Sequence, residues 1–380
     1  MSPQRPVRIL HVFGGMARGG AETYVMNVLR GIDRTRFRMD FLVHTTRECD
    51  YDAEVQSLGS SIIHCPFNSQ PWRYDREFRR ILAQQGPYDV VHSHVYTFSG
   101  YVLRAASRAG VPIRIAHSHT DTSRNDDSAG LIRRGYIALM KSLVQRYATR
   151  GFGCSRNAVA ALFGHDWERD PRWQVLPYTM DMSPFSVPAK RSEVREELGI
   201  PNEAYVLGHV GSFREVKNHR FLVDVFAQTA ARAPDTWLLL VGDGPLRPDV
   251  HQQVEALGLQ DRVVFAGSRP DVPRLMLGGM DLFVLPSLYE GFGIVLIEAQ
   301  AAGLPCVCSD VIPPEVDVLP ALLRRRQLSA PAAAWAEAIM ELREQGPSIA
   351  QSAALSQVME SPFSICKGLG SLEQAYSGAG

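Results

Sequence analysis

The chain has 380 residues, which is too long for one ordinary domain and suits two. Its apolar content of 45% and its zero formal net charge are typical of a globular protein, and we expect no nucleic-acid partner. No apolar run approaches the roughly 20 residues that a membrane-spanning helix needs, and the first residues lack a secretory signal pattern. We therefore expect a cytoplasmic protein.

Cysteine usage argues against a disulfide framework. The six cysteines are Cys49, Cys65, Cys154, Cys306, Cys308 and Cys366. No pair has zinc-ribbon spacing, so structural free thiols are expected. No Asp-x-Asp pair occurs in a site-like loop, and the sequence therefore predicts no metal and no cofactor.

Charge is unevenly distributed along the chain. Residues 1–180 carry 24 of the 40 basic side chains and 16 of the 40 acidic ones, a net charge of +8, so the remainder has −8. A basic first half could meet an anionic acceptor or the inner face of the plasma membrane. Two solvated domains that differ in charge explain the pattern equally well. The arginines concerned are Arg73, Arg76, Arg79, Arg80, Arg133 and Arg134.

The first half alternates strands with helices. Its predicted strands are Val7–Phe13, Met39–His44, Ser61–Cys65, Tyr88–His92, Ile113–His117, Gly151–Cys154 and Trp173–Leu176. Its predicted helices are Ala21–Leu29, Tyr51–Leu58, Trp72–Gln85, Ser99–Ala109, Leu131–Thr149 and one that begins after Ser155. This alternation predicts a doubly wound parallel sheet over residues 1–183. The polar loop Ser118–Ala129 is long for such a connection, which favours a functional role.

A linker at Pro184–Lys190 leads to a second alternating series over residues 184–360. Its predicted strands are Tyr205–Val210, Thr236–Val241, Arg262–Ala266, Asp281–Leu285 and Cys306–Cys308. Its predicted helices are His219–Ala230, Pro248–Leu257, Ile294–Ala302 and Ala332–Arg343. We thus predict an α/β protein with two Rossmann-like, doubly wound parallel-sheet domains that face each other across a cleft. The tail, residues 361–380, is expected to pack back toward the first domain.

Polar residues in the second half collect in four loops that follow predicted strands. These loops are Gly211–Asn218, Gly242–Pro245, Gly267–Asp271 and Pro286–Gly293. Because parallel strands end at the same edge of a sheet, the loops should lie together there. Lys217 and Arg214 could neutralise a diphosphate, and Glu298 could accept hydrogen bonds from ribose hydroxyls.

The second half also offers a helix start to an anion. Glu290 could bind sugar hydroxyls, while the backbone N–H groups of Gly291, Phe292 and Gly293 could donate to phosphate or sugar oxygens. Simpler interpretations remain open. Lys217 could be solvated, Glu290 could only complement the helix dipole, and Glu298 could be a surface residue.

A resemblance to a known family rests on these motifs. Glu290-GFGIVLI-Glu298 lies within PSLYEGFG…EAQAAGLPCVCSD, and VGDGP, GSRPDVPRLM, DLFVLPS and Lys217-Asn218-His219 accompany it. The N-terminal loop adds Gly19-Gly20-Ala21-Glu22. Over residues 7–320 the chain resembles the GT4 family of retaining glycosyltransferases, which have the two-domain GT-B fold. It is most similar to the bacterial exopolysaccharide and capsule branch.

The resemblance implies roles for individual residues. Lys217 would contact the donor diphosphate, Glu298 the ribose, and Glu290 the transferred sugar. The resemblance also implies that Gly19 and Gly20, in the same loop as Glu22, contact the diphosphate and the acceptor through their backbone.

Further assignments follow from the loops. Either His117 or His119 would stand near the sugar, and we favour His119 because the predicted strand Ile113–His117 includes His117. Gly242 and Arg269 are assigned to donor binding with the loops that carry them. One position departs from the family: Ser212 stands where an arginine is common, so Arg214 would have to reach the phosphates.

The sequence therefore predicts an enzyme that moves a sugar, with retention, from a nucleotide-diphosphate sugar, UDP-linked in our expectation. The acceptor would be a glycan or a lipid-linked molecule in polysaccharide synthesis. Two alternatives stay open: a UDP-sugar epimerase of the same fold, and a catalytically silent sugar-nucleotide-binding subunit of an assembly complex.

Overall fold

A computed structural model describes residues 5–120 and 130–378, apart from the side chain of Cys366. Most of the polar loop 118–129 therefore lies outside the described residues. The chain forms two compact units, Met1–Met180 with Ile365–Gly380, and Asp181–Ser364. No helix among the described residues is long and apolar enough to cross a membrane.

The first unit has seven strands and seven helices in its described part. The strands are β1 (Val7–Phe13), β2 (Phe37–Val43), β3 (Ile62–His64), β4 (Val90–Ser93), β5 (Ile113–Ser118), β6 (Arg150–Gly153) and β7 (Trp173–Val175). The helices are α1 (Gly20–Gly31), α2 (Asp52–Ser57), α3 (Pro71–Gln85), α4 (Ser99–Arg108), α5 (Leu131–Tyr147), α6 (Arg156–Phe163) and, from the end of the chain, α14 (Ile365–Tyr376).

All strands of the first unit are parallel, in the order β3-β2-β1-β4-β5-β6-β7. Strands covered by helices on both faces need apolar side chains on both sides, which explains the continuous run VRILHVF of β1. Its last five residues are buried. The order reverses between β1 and β4, and ligands of such sheets bind at the carboxyl ends of the strands beside that reversal.

The last helix, α14, completes the first unit. Ile365 and Leu369 pack so closely against Gly31 of α1 that an added Cβ there would meet their Cδ1 atoms at 3.0 Å. Arg36 pairs with Glu373 at 2.9 Å, and the Tyr376 side chain is 1% exposed. The contacts of the chain's end therefore lie within the first unit.

The second unit has six strands and seven helices. The strands are β8 (Tyr205–Val210), β9 (Thr236–Val241), β10 (Val263–Gly267), β11 (Leu282–Leu285), β12 (Cys306–Ser309) and β13 (Leu323–Arg326). The helices are α7 (Arg191–Glu197), α8 (His219–Arg232), α9 (Arg247–Ala256), α10 (Val272–Gly279), α11 (Ile294–Ala301), α12 (Ala332–Gln345) and α13 (Gln351–Glu360).

These strands are also all parallel, in the order β10-β9-β8-β11-β12-β13, so this sheet reverses between β8 and β11. The prediction of two parallel-sheet α/β domains is confirmed. Between residues 184 and 346, three elements were not predicted: α7, α10 and the edge strand β13. The sequence of β13, Leu-Arg-Arg-Arg, carries no apolar run, and it forms a strand because β12 supplies its hydrogen-bond partners.

Candidate donor and histidine sites

The loops that follow β8 and β11 are hydrogen-bonded to each other at the reversal point of the second sheet. Asn218 has a left-handed backbone (φ +56°) and donates its side-chain amide to the Pro286 carbonyl oxygen at 3.1 Å. The Leu288 N–H donates to the Val216 carbonyl oxygen at 2.8 Å. These bonds fix Lys217 and Glu290, which are 73 positions apart in sequence, in one place.

Lys217 and Glu290 form an ion pair there. The Lys217 Nζ lies 2.6 Å from Glu290 Oε1, and the two side chains are 17% and 11% exposed. The Ser287 hydroxyl donates to the same oxygen at 2.7 Å. Within the described residues, Glu290 Oε2 accepts no hydrogen bond and the ammonium group donates only to Glu290, so both retain capacity for a ligand.

Glycines let the backbone come close around this pair. An added Cβ on Gly242 (φ +138°) would stand 2.1 Å from the Gly211 carbonyl oxygen, so only glycine fits where β8 and β9 end. Gly293 (φ +88°) precedes α11, whose start has no side-chain cap. The first N–H groups of α11 therefore have no intrahelical acceptor, as at any helix start, and can bind an anion.

Glu298 lies in the middle of α11 and is only partly exposed. Burial raises the pKa of its carboxyl group to about 7. No hydrogen bond or ion pair from any described residue reaches this carboxylate. A partly desolvated carboxyl group without an internal partner is costly to keep, which makes Glu298 a good acceptor for ligand hydroxyl groups.

The other predicted donor residues have different surroundings. The Arg214 side chain is exposed, and its guanidinium has no partner among the described side chains. Ser212 is partly exposed, and its carbonyl oxygen accepts the Arg214 N–H at 2.7 Å. Arg269 already forms two ion pairs, with Asp271 at 2.8 Å and with Glu197 at 2.6 Å. Those two carboxylates raise the pKa of Arg269, so releasing its guanidinium for a donor would cost both ion pairs.

In the first unit, the predicted glycine loop leads into α1. Gly19 is the N-cap residue, Gly20 begins the helix, and no side chain caps its start. Glu22 lies in the first turn, with Oε2 2.5 Å from the position that a Cβ on Gly19 would occupy. A larger residue than glycine at position 19 would therefore displace the Glu22 carboxylate.

Five histidines meet at the carboxyl edge of the first sheet, and we call them the histidine cluster. They are His11 of β1, His92 of β4, His94 directly after β4, His117 of β5 and His119 directly after β5. In the sheet, His11 is the register partner of His92. Ring centroids are 4.2 Å apart for His92 and His94 and also for His117 and His119.

Hydrogen bonds divide the histidine cluster into two chains. In the first, His11 Nδ1 contacts His94 Nε2 at 2.9 Å, His94 Nδ1 contacts His119 Nε2 at 2.7 Å, and His119 Nδ1 contacts the Tyr178 hydroxyl at 2.6 Å. The second chain runs from His117 through His92 to a tyrosine of α14. In it, His117 Nδ1 lies 3.2 Å from His92 Nε2, and His92 Nδ1 lies 2.9 Å from the Tyr376 hydroxyl.

Burial keeps the histidine cluster uncharged at neutral pH. It lowers the pKa of His11 and of His119 to about 3. The pKa values of His92, His94 and His117 are also well below the usual value, because burial and then the neighbouring histidines disfavour the charged form. The cluster can therefore accept hydrogen bonds or bind a cation through neutral imidazole nitrogens.

The sequence analysis named only His117 and His119 from this cluster. His117 lies within β5 and is buried, whereas His119 follows the strand and is partly exposed. A signal for His92 and His94 was present: the tripeptide His-Ser-His occurs at 92–94 and again at 117–119. Residues two apart in a strand share a face, so two such tripeptides at the ends of neighbouring strands predict a cluster. Nothing local indicates His11, Tyr178 or Tyr376.

Comparisons with known proteins agree with the two-unit architecture. The family "Glycosyl transferase 4-like domain" matches residues 19–179, and "Glycosyl transferases group 1" matches residues 190–353. The putative glycosyltransferase EpsF of Bacillus subtilis (strain 168) is 36% identical over 342 residues, which are 89% of this chain and 88% of that protein.

Two further similarities extend this comparison. The UDP-Gal:alpha-D-GlcNAc-diphosphoundecaprenol alpha-1,3-galactosyltransferase of Escherichia coli is 29% identical over 60% of each chain. The crystal structure of HepE from Anabaena in complex with UDP-glucose matches with a TM-score of 0.80 and 20% identity, over 98% of this chain and 99% of that one. At that identity the structural match shows the fold alone.

The chain belongs to the GT4-type glycosyltransferases and has the GT-B fold. The predicted family is thereby confirmed.

Proposed function

We propose that this protein transfers a sugar from a UDP-linked donor to a glycan or lipid-linked acceptor in exopolysaccharide synthesis, with retention at the anomeric carbon. The observation that carries the proposal is the Lys217–Glu290 pair at the reversal point of the second sheet, next to an uncapped helix start. The similarity to the putative glycosyltransferase EpsF supports sugar transfer, and the diphosphoundecaprenol acceptor named for the Escherichia coli galactosyltransferase supports a lipid-linked acceptor. The UDP and UDP-glucose complexes of HepE support a UDP-sugar donor.

In this proposal, the second unit holds the donor. Lys217 and Arg214 neutralise the diphosphate, and the first N–H groups of α11 donate to its oxygens. Glu298 accepts hydrogen bonds from the ribose hydroxyls, and Glu290 uses its free Oε2 for a hydroxyl of the sugar. The leaving diphosphate is then stabilised by fixed cations and a helix terminus, without a requirement for a metal.

In this proposal the Glu290 carboxylate does not act as a nucleophile. Glu290 Oε1 is already bound to Lys217 and Ser287, which suits a positioning group better than an attacking one. The bond between the anomeric carbon and the diphosphate breaks while the acceptor oxygen forms its bond on the same face. A diphosphate oxygen on that face takes the acceptor proton. Because the new bond forms on the face from which the diphosphate departs, the configuration is retained.

The first test is a thermal-shift screen of UDP-, GDP- and ADP-sugars, since a ligand that binds the folded state raises apparent stability. Turnover with the best donor follows, for the wild type and for Lys217→Met, with the exposed Lys190→Met as the matched control. We expect Lys217→Met to lose about 100-fold or more in kcat/KM and Lys190→Met to lose nothing.

Three outcomes would contradict the proposal. Undiminished turnover by Lys217→Met would refute the phosphate assignment, and an inverted anomeric product, detected by NMR, would refute retention. Donor binding without turnover against a panel of glycan and lipid-linked acceptors would instead favour the silent subunit.

We also propose that α5 brings the protein to the surface of an anionic membrane that carries a lipid-linked acceptor. The start of α5 exposes four large apolar side chains: Leu131 by 85%, Ile132 by 93%, Tyr136 by 47% and Leu139 by 57%. Arg133 and Arg134 are exposed between them. Apolar side chains next to basic ones favour an interface between anionic headgroups and acyl chains.

Flotation with vesicles tests this contact. We expect binding to phosphatidylglycerol vesicles, weaker binding to phosphatidylcholine vesicles, and loss of binding in the double variant Leu131→Ser with Ile132→Ser. Val187, which is 65% exposed in the second unit, provides the matched control Val187→Ser. Equal flotation of the double variant and the wild type would refute the role of α5.

A further inference from the structure

Three residues of the histidine cluster have the spacing of a metal site. His94, His117 and His119 each offer a ring nitrogen, and these three atoms lie within 4.8 Å of one another. With metal–nitrogen bonds of about 2.0–2.1 Å, the ligand atoms of a tetrahedral zinc site are about 3.4 Å apart. Small side-chain movements would therefore bring the three nitrogens onto one ion.

One nitrogen of each ring is held by a hydrogen-bond partner outside the trio. His94 Nε2 faces His11 Nδ1 at 2.9 Å, and His117 Nδ1 faces His92 Nε2 at 3.2 Å. His119 Nδ1 faces the Tyr178 hydroxyl at 2.6 Å. Metal-binding histidines almost always donate their second N–H to such a partner, which fixes the tautomer and the ring orientation.

These outer partners determine which nitrogens are free to bind an ion. If each outer nitrogen carries the proton and donates it, lone pairs remain on His94 Nδ1, His119 Nε2 and His117 Nε2. Tyr178 can accept from His119 because its own hydroxyl has a second partner in the Cys154 thiol. All three imidazoles are neutral in this arrangement, so binding an ion requires no net release of protons from them.

One feature of the histidine cluster is costly without a cation. His117 Nε2 is buried and has no hydrogen-bond partner among the described residues. Without an ion, one proton joins His94 Nδ1 and His119 Nε2 in a hydrogen bond of 2.7 Å. In the tautomers just described that proton lies on His94 Nε2 instead, and a cation between the three rings would bind all three nitrogens, including the unsatisfied one.

We propose that His94 Nδ1, His117 Nε2 and His119 Nε2 bind one divalent transition-metal ion, with zinc as the best match to three imidazoles. Three protein ligands leave a fourth position for water or another ligand. The partly exposed His119 gives this trio access to solvent, which distinguishes it from the fully buried trio His11, His92 and His94. The site does not depend on the proposed sugar transfer, and it departs from the sequence-based expectation of no metal.

The test uses the full chain after removal of metals with a chelator. Co²⁺ is titrated at neutral pH and followed by the visible absorption of tetrahedral Co²⁺, and Zn²⁺ affinity is then measured by competition with a chromophoric chelator. We expect one ion per chain and about 100-fold or greater weakening in His119→Ala. His11→Gln changes only an outer partner and should weaken binding by about 10-fold. The exposed surface residue His165 provides the control His165→Ala, which should bind like the wild type.

Circular dichroism of each variant separates loss of ligand from loss of fold. His119→Ala decides the test because this partly exposed side chain can be truncated with least damage to the core. The proposal is overturned if the wild type gives no tetrahedral Co²⁺ spectrum at micromolar concentrations. It is equally overturned if folded His119→Ala binds as tightly as the wild type, or if His165→Ala alone abolishes binding.

Discussion

Glu298 should make the protein less stable at alkaline pH than at acidic pH, and replacing it should remove that effect. Its carboxyl pKa is about 7 in the folded protein, against an ordinary value of 4.5. The folded state therefore binds a proton that the unfolded state releases between pH 4.5 and 7. A group with this shift contributes full stability below pH 4.5 and loses it as the pH rises through 7.

The size of the effect follows from the two pKa values. Such a difference corresponds to about 3 kcal/mol of folding free energy between pH 4.5 and pH 8. Because the side chain is partly exposed, we expect about 2–3 kcal/mol. Glu298→Gln keeps the shape and removes the charge, so the variant should be more stable than the wild type by that amount at pH 8 and about equal at pH 4.5.

Urea unfolding of both proteins across this pH range measures the difference. Subtracting the wild-type value at each pH cancels the other titrating groups, including the histidine cluster. Glu337→Gln, which changes an exposed glutamate on α12, is the matched control and should follow the wild type at every pH. If Glu298→Gln does not raise the free energy of unfolding at pH 8, the reasoning is refuted, because the carboxylate would then be better solvated than its position on α11 indicates.

Three further predictions concern packing and pairing. Lys217→Met and Glu290→Gln should each lower the free energy of unfolding by about 2 kcal/mol, because each leaves one partner of the ion pair without the other. The double variant should lose about 1–2 kcal/mol less than the sum of the two single losses. Strict additivity in this double-mutant cycle would show that the two side chains do not interact. Gly242→Ala should cost about 3 kcal/mol or more in denaturant unfolding, because its Cβ would overlap a carbonyl oxygen at 2.1 Å, whereas Gly135→Ala, with open space around it, should be neutral or stabilising. Tyr376→Phe should lower Tm by about 2–4 °C, because it removes the buried hydroxyl that lies 2.9 Å from His92 Nδ1. An unchanged Tm would show that this hydrogen bond contributes nothing to stability.

Much of the architecture could be predicted because the signals are local. A strand buried on both faces must be an apolar run, as in TWLLLV of β9, and the loop after it must contain glycine where another backbone approaches. The structure begins and ends β8 and β9 at the predicted residues. By contrast, β13 carries three arginines and forms a strand by pairing with β12, and Arg325 within it forms an ion pair with Asp317 at 2.6 Å.

For the donor site, sequence order was sufficient to identify the loops but not the pairs. Parallel strands end at one edge, so Lys217 and Glu290 could be assigned to the same region of the molecule before any distance was known. Their direct contact at 2.6 Å, at a Glu290 oxygen that also accepts from Ser287, is a tertiary result. The position of Arg269 is also a tertiary result. The sequence assigns this side chain to donor binding, whereas in the structure it forms an ion pair with Glu197.

The amino-acid sequence by itself determined the family, the two parallel sheets and the loops that carry the candidate donor residues, because glycine loops, apolar runs and motif spacing are properties of short segments. Only the tertiary structure decided which distant side chains meet. His11, His92 and Tyr178 lie on separate segments, and Tyr376 comes from the far end of the chain. Long-range packing brings His11 and the two tyrosines into contact with the other histidines of the cluster, and no local pattern indicates those contacts.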